Sequence, residues 1–263
     1  ASGYLLESRT NAGSLPVTSV LRSDNFSPIG QVVNGKYLES AIYTCDYSAN
    51  GGDTNYFDLA NGWQRGGGIL TSAAVHFSTK SVYVLNNFGP SRNFKIYPGK
   101  DYIMSAWVRP IVDSVLMWGD YRLIQNVDTT LPLDVGAFMC AFSGTPVRVK
   151  APGDWQYIEA RIHAATDITA AYWNAFPDKW CARVYVGTSP RGQAYIDDIR
   201  IYPADAQVTT TYYDSRNRVV CTVDANNHAS YAEYDTWDRA VRTKNNAKKT
   251  VMEKAYKLSG DLP

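Results

Sequence analysis

Between Ser81 and Tyr202 the chain repeats one device that leaves few folds open to it. Short runs in which apolar and polar residues alternate, SVYVLN, DYIMSAWV, WQYIEARIH, CARVYVG and AYIDDIRIY, are separated by turn formers such as Asn86-Asn87, Pro98-Gly99, Pro152-Gly153 and Pro190-Arg191-Gly192. A period of two belongs to a strand with one face buried, and Gly, Pro and Asn at the junctions supply the backbone angles that tight turns need. The expectation is an all-β chain built as a strand-by-strand sandwich. In WQYIEARIH the alternation places Ile158, Ala160 and Ile162 on the buried face and Glu159, Arg161 and His163 on the wet one. QVVNGKYLESAIYTCDY holds two further strands, near 31–34 and 40–47, whereas GGDTNYFDLANGWQRGGG reads as loop.

The composition agrees, with 19 Tyr, 7 Trp, 19 Gly and 12 Pro among 263 residues, a bias toward strands and turns. A formal net charge of +1 gives no reason to expect a nucleic-acid partner. Positive charge gathers instead in Arg242, Lys244, Lys248, Lys249, Lys254 and Lys257, which read first as a solvated face. No apolar run approaches the roughly 20 residues of a membrane-spanning helix, so direct membrane insertion is not expected. Cys45, Cys140, Cys181 and Cys221 are too widely spaced for a zinc ribbon. Buried thiols and disulfides both remain open for them.

The character changes after Tyr202-Pro203, because proline cannot donate to a ladder. Tyr213-Asp214 recurs as Tyr234-Asp235 twenty-one residues on, and Arg218 recurs as Arg239 at the same interval. In each unit the Tyr ends a strand, the Asp caps a tight turn by accepting backbone N–H groups, and the Arg opens the next strand with its stem over the Tyr ring. Two and a fraction units are fewer than a free-standing array needs, so the tail must lean on the sandwich or continue into a longer array.

These units resemble the YD repeats of the Rhs family of bacterial surface and secreted proteins, with Asn217 and Asp238 where that family's turn usually carries Gly. Asn and Asp tolerate the left-handed conformation, so the departure keeps the turn possible. Ahead of the tail, KSVYVLNN, PGKDYIMSAWVRP, GDWQYIEARI and the closing AYIDDIRIYP resemble a carbohydrate-binding-module-like, or galactose-binding-like, jelly roll. Together the resemblances imply a jelly-roll β-sandwich followed by a short β-meander. The expected division is 1–50 as an N-terminal extension with the first strands or the remnant of an upstream domain, 51–206 as the sandwich, and 207–263 as the repeat segment. Such pairs are similar to modules of secreted or cell-surface proteins of the Bacteroidetes, which implies a non-catalytic role in adhesion or extracellular assembly with a protein partner, as part of a longer protein or complex. The alternative is a carbohydrate-binding module that targets a polysaccharide or surface glycan; a fragment of a repeat shell around a toxin is a third reading.

Candidate sites follow from both sources. AYIDDIRIY, taken as a regular strand, puts Asp197 on one face with Tyr195, Ile199 and Ile201, where a carboxylate needs a partner. The jelly-roll resemblance implies that Asp197 shares a structural calcium with Asp46; the residues alone equally allow a salt bridge or a backbone-bonded turn. In AAYWNAFPDKW the rings of Tyr172, Trp173 and Phe176, with Asn174 and Asp178 as polar neighbours, are the expected saccharide platform, although such rings also fill cores. Trp107 and Trp155 are expected to pack. No nucleophile elbow, Walker motif or selected carboxylate pair points to catalysis, so an enzyme is not expected.

Overall fold

The computed structural model describes residues 7–8, 14–22, 25, 27–48, 52, 54–58, 62–77, 79–86, 89–97, 100–124, 135–141, 147–150, 153–163, 180–188 and 190–256. Among the described residues the regular elements are strands, apart from one 3-10 turn at Tyr37–Glu39, and every pairing among those strands is antiparallel. No described helix is long and apolar enough to cross a membrane.

Two sheets form a sandwich. In the first, Gln156–His163, Asp101–Val112, Gln193–Pro203, Ser81–Leu85 and Ile69–Thr71 lie side by side, with Ala41–Tyr43 also against Gln193–Pro203. The second has Val135–Ala141, Ser114–Ile124, Trp180–Thr188, Ser91–Lys95, Trp63–Gln64 and Tyr56–Asp58 in that order, with Val147–Lys150 against Ser114–Ile124. Their facing sides make one core, from Val82, Val84, Met104, Ala106, Val108, Ile196, Ile199 and Ile201 against Phe94, Val115, Met117 and Val186. The alternation of WQYIEARIH holds: Ile158 and Ile162 are buried while Glu159 and Arg161 are exposed. The loop-like segment 51–68 contributes two short strands, and Phe57 and Trp63 stack on Tyr43 in the core.

A third sheet runs Glu7–Ser8, Val17–Leu21, Pro28–Val33, Gln207–Tyr213, Val219–Val223, Ala229–Tyr234, Ala240–Lys244 and Thr250–Glu253. The strand ending at Val33 therefore lies directly beside the strand beginning at Gln207, and both sandwich sheets are strung on the chain between them. The close approach that this requires is visible at Gly30, where a Cβ would sit 2.3 Å from Ile42 Cδ1 and 2.8 Å from the Thr209 carbonyl oxygen. The tail leans on the sandwich through Tyr212, Cys221, Val223 and Ala229, which bury Phe77 and cover part of Trp107.

The turns of the tail explain its regularity. At Asp214 the side-chain Oδ1 accepts the N–H groups of Arg216 and Arg218, and Asn217 takes φ 60°. Asp235 does the same for Trp237 and Arg239, with Asp238 at φ 61°. Asp224 and Asn245 repeat the arrangement on the opposite edge of the ladder, with Asn227 and Lys248 in the left-handed position. All four are three-residue hairpin loops closed by a left-handed residue. The structural repeat is thus a turn every ten or eleven residues, half the interval visible from the Tyr-Asp pairs. The arginines act differently from expectation: Arg218 lies 4.7 Å over Tyr234 and Arg239 lies 4.5 Å over Tyr256, each covering the ring of the following unit rather than its own. Antiparallel ladders put a strand beside the next hairpin, so the partner ring comes from sixteen or seventeen residues on.

Candidate functional site

The closing strand Gln193–Pro203 organises both candidate sites, because it changes which face it buries partway along. Trp107 opposes Asp197 while Ser105 opposes Arg200, so three steps on one strand match two on the other. Asp198, at φ 49°, is the extra residue of this bulge. Ala194 and Ile196 before it and Ile199 and Ile201 after it all enter the core. Tyr195 is therefore not on the face of Ile199 and Ile201, as a regular strand would have it; it stands outside, opposite Tyr83.

At the bulge both aspartates are buried. Asp197 Oδ1 accepts the Asp198 N–H at 2.8 Å and Oδ2 accepts the His76 N–H at 3.2 Å. Burial, then the negative charges of Asp46 and Asp198, hold its carboxyl well above the usual carboxylate range. Asp46 Oδ1 accepts the Thr79 N–H at 3.3 Å. Calcium takes six to eight oxygens; both oxygens of Asp197 are already bonded to amides, and the described residues form no group of three or more metal-ligating side chains. Asp197 and Asp46 supply two carboxylates toward such a shell. Asp198 is instead paired with Arg200, whose Nη1 reaches Asn227 Oδ1 in the tail at 3.2 Å. Burial pulls the Arg200 guanidinium down, and Asp198 more than offsets it, leaving the group above its ordinary value.

Beside the bulge His76 is packed between aromatic rings, 4.0 Å from Trp107, 4.0 Å from Phe77 and 5.2 Å from Trp155 by ring centroid. Its Nδ1 is buried without a hydrogen-bond partner. Burial lowers its pKa to about 4, with Asp198 opposing the shift and Lys248 reinforcing it. Trp107 and Trp155 thus pack, as expected, although only in part: both are half-buried. Cys45 and Cys221 are buried free thiols, and burial pushes Cys221 up to about 12.

On the other side of the bulge the outer face of the first sheet stays open. Ile69, Leu70, Thr71, Tyr83, Ile111, Gln193 and Tyr195 line a groove of about 430 Å³. The Tyr83 and Tyr195 rings lie 5.5 Å apart at 49°. Tyr83 donates its hydroxyl to Gln193 Oε1 at 3.1 Å. Sequence reasoning missed this groove. Its only linear trace is a polar-face Tyr in SVYVL and another in QAYI, and nothing local says that the two strands are neighbours. The expected platform of Tyr172, Trp173, Asn174, Phe176 and Asp178 lies outside the described residues.

No family model matches the chain, and no characterised protein matches it by sequence. Among solved structures it is similar to the CBM22-1 xylan-binding domain of Paenibacillus barcinonensis Xyn10C, at 11% identity over 62% of this chain and 92% of that one, with a TM-score of 0.38. The C-terminal family 22 carbohydrate-binding module of Clostridium thermocellum Xyn10B gives 17% identity, 63% and 94% coverage and a TM-score of 0.36. The isomalto-dextranase of Arthrobacter globiformis T6 gives 13%, 65% and 24%, and 0.35. These scores and identities are too low to tie the chain to any of the three.

Proposed function

We propose that the chain is a non-catalytic saccharide-binding module of an extracellular protein, with its sugar site in the groove between Tyr83 and Tyr195. The observation that carries this reading is the pair of tyrosine rings, side by side on an open sheet face and bordered by Gln193 and Thr71. A pyranose ring presents axial C–H bonds to an aromatic face and hydroxyls around its rim. Gln193 gives its oxygen to Tyr83, which leaves the amide nitrogen for a hydroxyl. Pockets that combine apolar faces with a few convergent polar groups are those that bind small polar ligands.

A glycan array followed by calorimetry tests this. The wild-type chain should bind at least one saccharide saturably, and Tyr195→Ala should fold yet weaken binding by about tenfold, the worth of one ring contact. Absence of binding across the array, or unchanged affinity in Tyr195→Ala, would overturn the proposal. Trp173→Ala on the same array tests the AAYWNAFPDKW platform separately. Adhesion or assembly through protein contacts is the second reading. It is favoured by Thr250–Glu253, the last strand of its sheet among the described residues, where Val251 is 62% and Met252 51% exposed.

A further inference from the structure

At the end of the sandwich away from the groove, where the closing strand reaches Pro203, three lysines meet on one ring. Lys36 Nζ lies 4.7 Å from the Tyr97 ring centroid, Lys95 Nζ 5.0 Å and Lys100 Nζ 5.7 Å. Lys36 precedes the Tyr37–Glu39 turn, Lys95 ends a strand of the second sheet, and Lys100 leads into Asp101–Val112. Lys95 and Lys100 flank Tyr97 along the chain, and packing brings Lys36 to the same ring.

Like charges gathered around one ring repel, which favours anything that compensates them. Glu39 does so in part. Its side chain is fully buried, its Oε2 lies 2.9 Å from Lys100 Nζ, and its Oε1 lies 3.9 Å from Lys36 Nζ. The next acid along the chain, Asp101, is held by Arg161 at 2.8 Å. Lys95 makes no ion pair among the described residues. Three ammoniums therefore face one carboxylate. The buried Glu39 also hydrogen-bonds the Lys100 ammonium and draws that of Lys36 toward it, while the two lysine side chains stay 41% and 42% exposed, so part of the donor set is in place before any ligand arrives.

We infer that Lys36, Lys95 and Lys100 around Tyr97 form a binding site for a doubly charged tetrahedral oxyanion, of the phosphate or phosphate-monoester class. Such an ion balances the local excess of two positive charges. Its several oxygens also suit ammonium donors gathered around one ring, since each ammonium carries N–H bonds that can rotate toward them. The site is distinct from the tyrosine groove and stands whether or not that groove binds sugar.

The test is a titration of the full chain with inorganic phosphate, followed by amide NMR at fixed ionic strength with chloride as the balancing anion. Saturable shifts are expected at Lys95, Tyr97 and Lys100. Lys95→Gln is the decisive variant because it leaves the Glu39 pairs intact, and it should weaken phosphate by about fivefold, the worth of one partly exposed charge. Glucose 6-phosphate, with glucose as control, separates the sources: tighter binding than phosphate assigns a phosphorylated saccharide, and equal binding assigns the free anion. No saturable shift in the wild type, or an unchanged dissociation constant in Lys95→Gln, would overturn the site.

Discussion

Replacing Arg200 by Met tests how the tail is fastened to the sandwich. The Arg200 side chain is 2% exposed and that of its partner Asp198 is 0% exposed. The substitution keeps the apolar stem and removes the charge. Asp198 is then left buried near Asp197 and Asp46 without its guanidinium partner, and Asn227 loses its hydrogen bond to Arg200 of the sandwich. Breaking one side of a buried pair costs about 3–5 kcal/mol, most of it for the stranded charge. That loss should appear in urea denaturation at neutral pH, followed by tryptophan fluorescence. The double variant Asp198→Asn, Arg200→Met separates cause from coincidence. It removes the stranded charge, and Asn accepts the left-handed backbone at position 198, so stability should recover to within about 2 kcal/mol of wild type. If the single variant costs less than about 1 kcal/mol, or the double variant costs as much as the single, charge compensation at the bulge is not what holds these layers together.

Three further outcomes follow from the same structure. His76 is held neutral, with a folded pKa of about 4 against 6.5 unfolded, so the unfolded chain takes up the proton first. Its contribution is complete above pH 6.5 and is lost as pH falls toward 4; discounted for partial exposure, the loss is on the order of 1–2 kcal/mol. His76→Phe should flatten that stretch of the pH–stability curve, and an unchanged slope would remove His76 as its source. Gly30→Val, which drives a side chain into Ile42 and the Thr209 carbonyl, should destabilise by about 1–3 kcal/mol in the same urea assay, and a neutral result would show that the two layers separate there at little cost. If calcium does bridge Asp46 and Asp197, melting in excess calcium should exceed melting in chelator, with the ion detected by elemental analysis; identical curves and no ion would leave the two carboxylates as caps of backbone amides.

The sequence by itself determined what is local. Alternation in WQYIEARIH fixed which side chains face inward, because successive strand residues point to opposite faces. Tyr213-Asp214 and Tyr234-Asp235 marked turns because a carboxylate can accept nearby N–H groups, and Asn217 and Asp238 took the left-handed position that their short polar side chains tolerate. Two more turns of the same kind, at Asp224 and Asn245, were present in the letters but lacked the tyrosine that drew the eye. Tertiary structure alone decided the rest. One extra residue at Asp198 reversed the faces of the closing strand, and a period-two pattern carries no sign of an inserted residue once both flanks are apolar. Tyr83 and Tyr195 became neighbours, and the strand ending at Val33 paired with the one beginning at Gln207, both through strand order. Residues more than a hundred positions apart leave no mark on each other's local pattern; backbone hydrogen bonds between strands are chemically alike, so the choice of partner falls to whichever arrangement buries the apolar faces of all three sheets together.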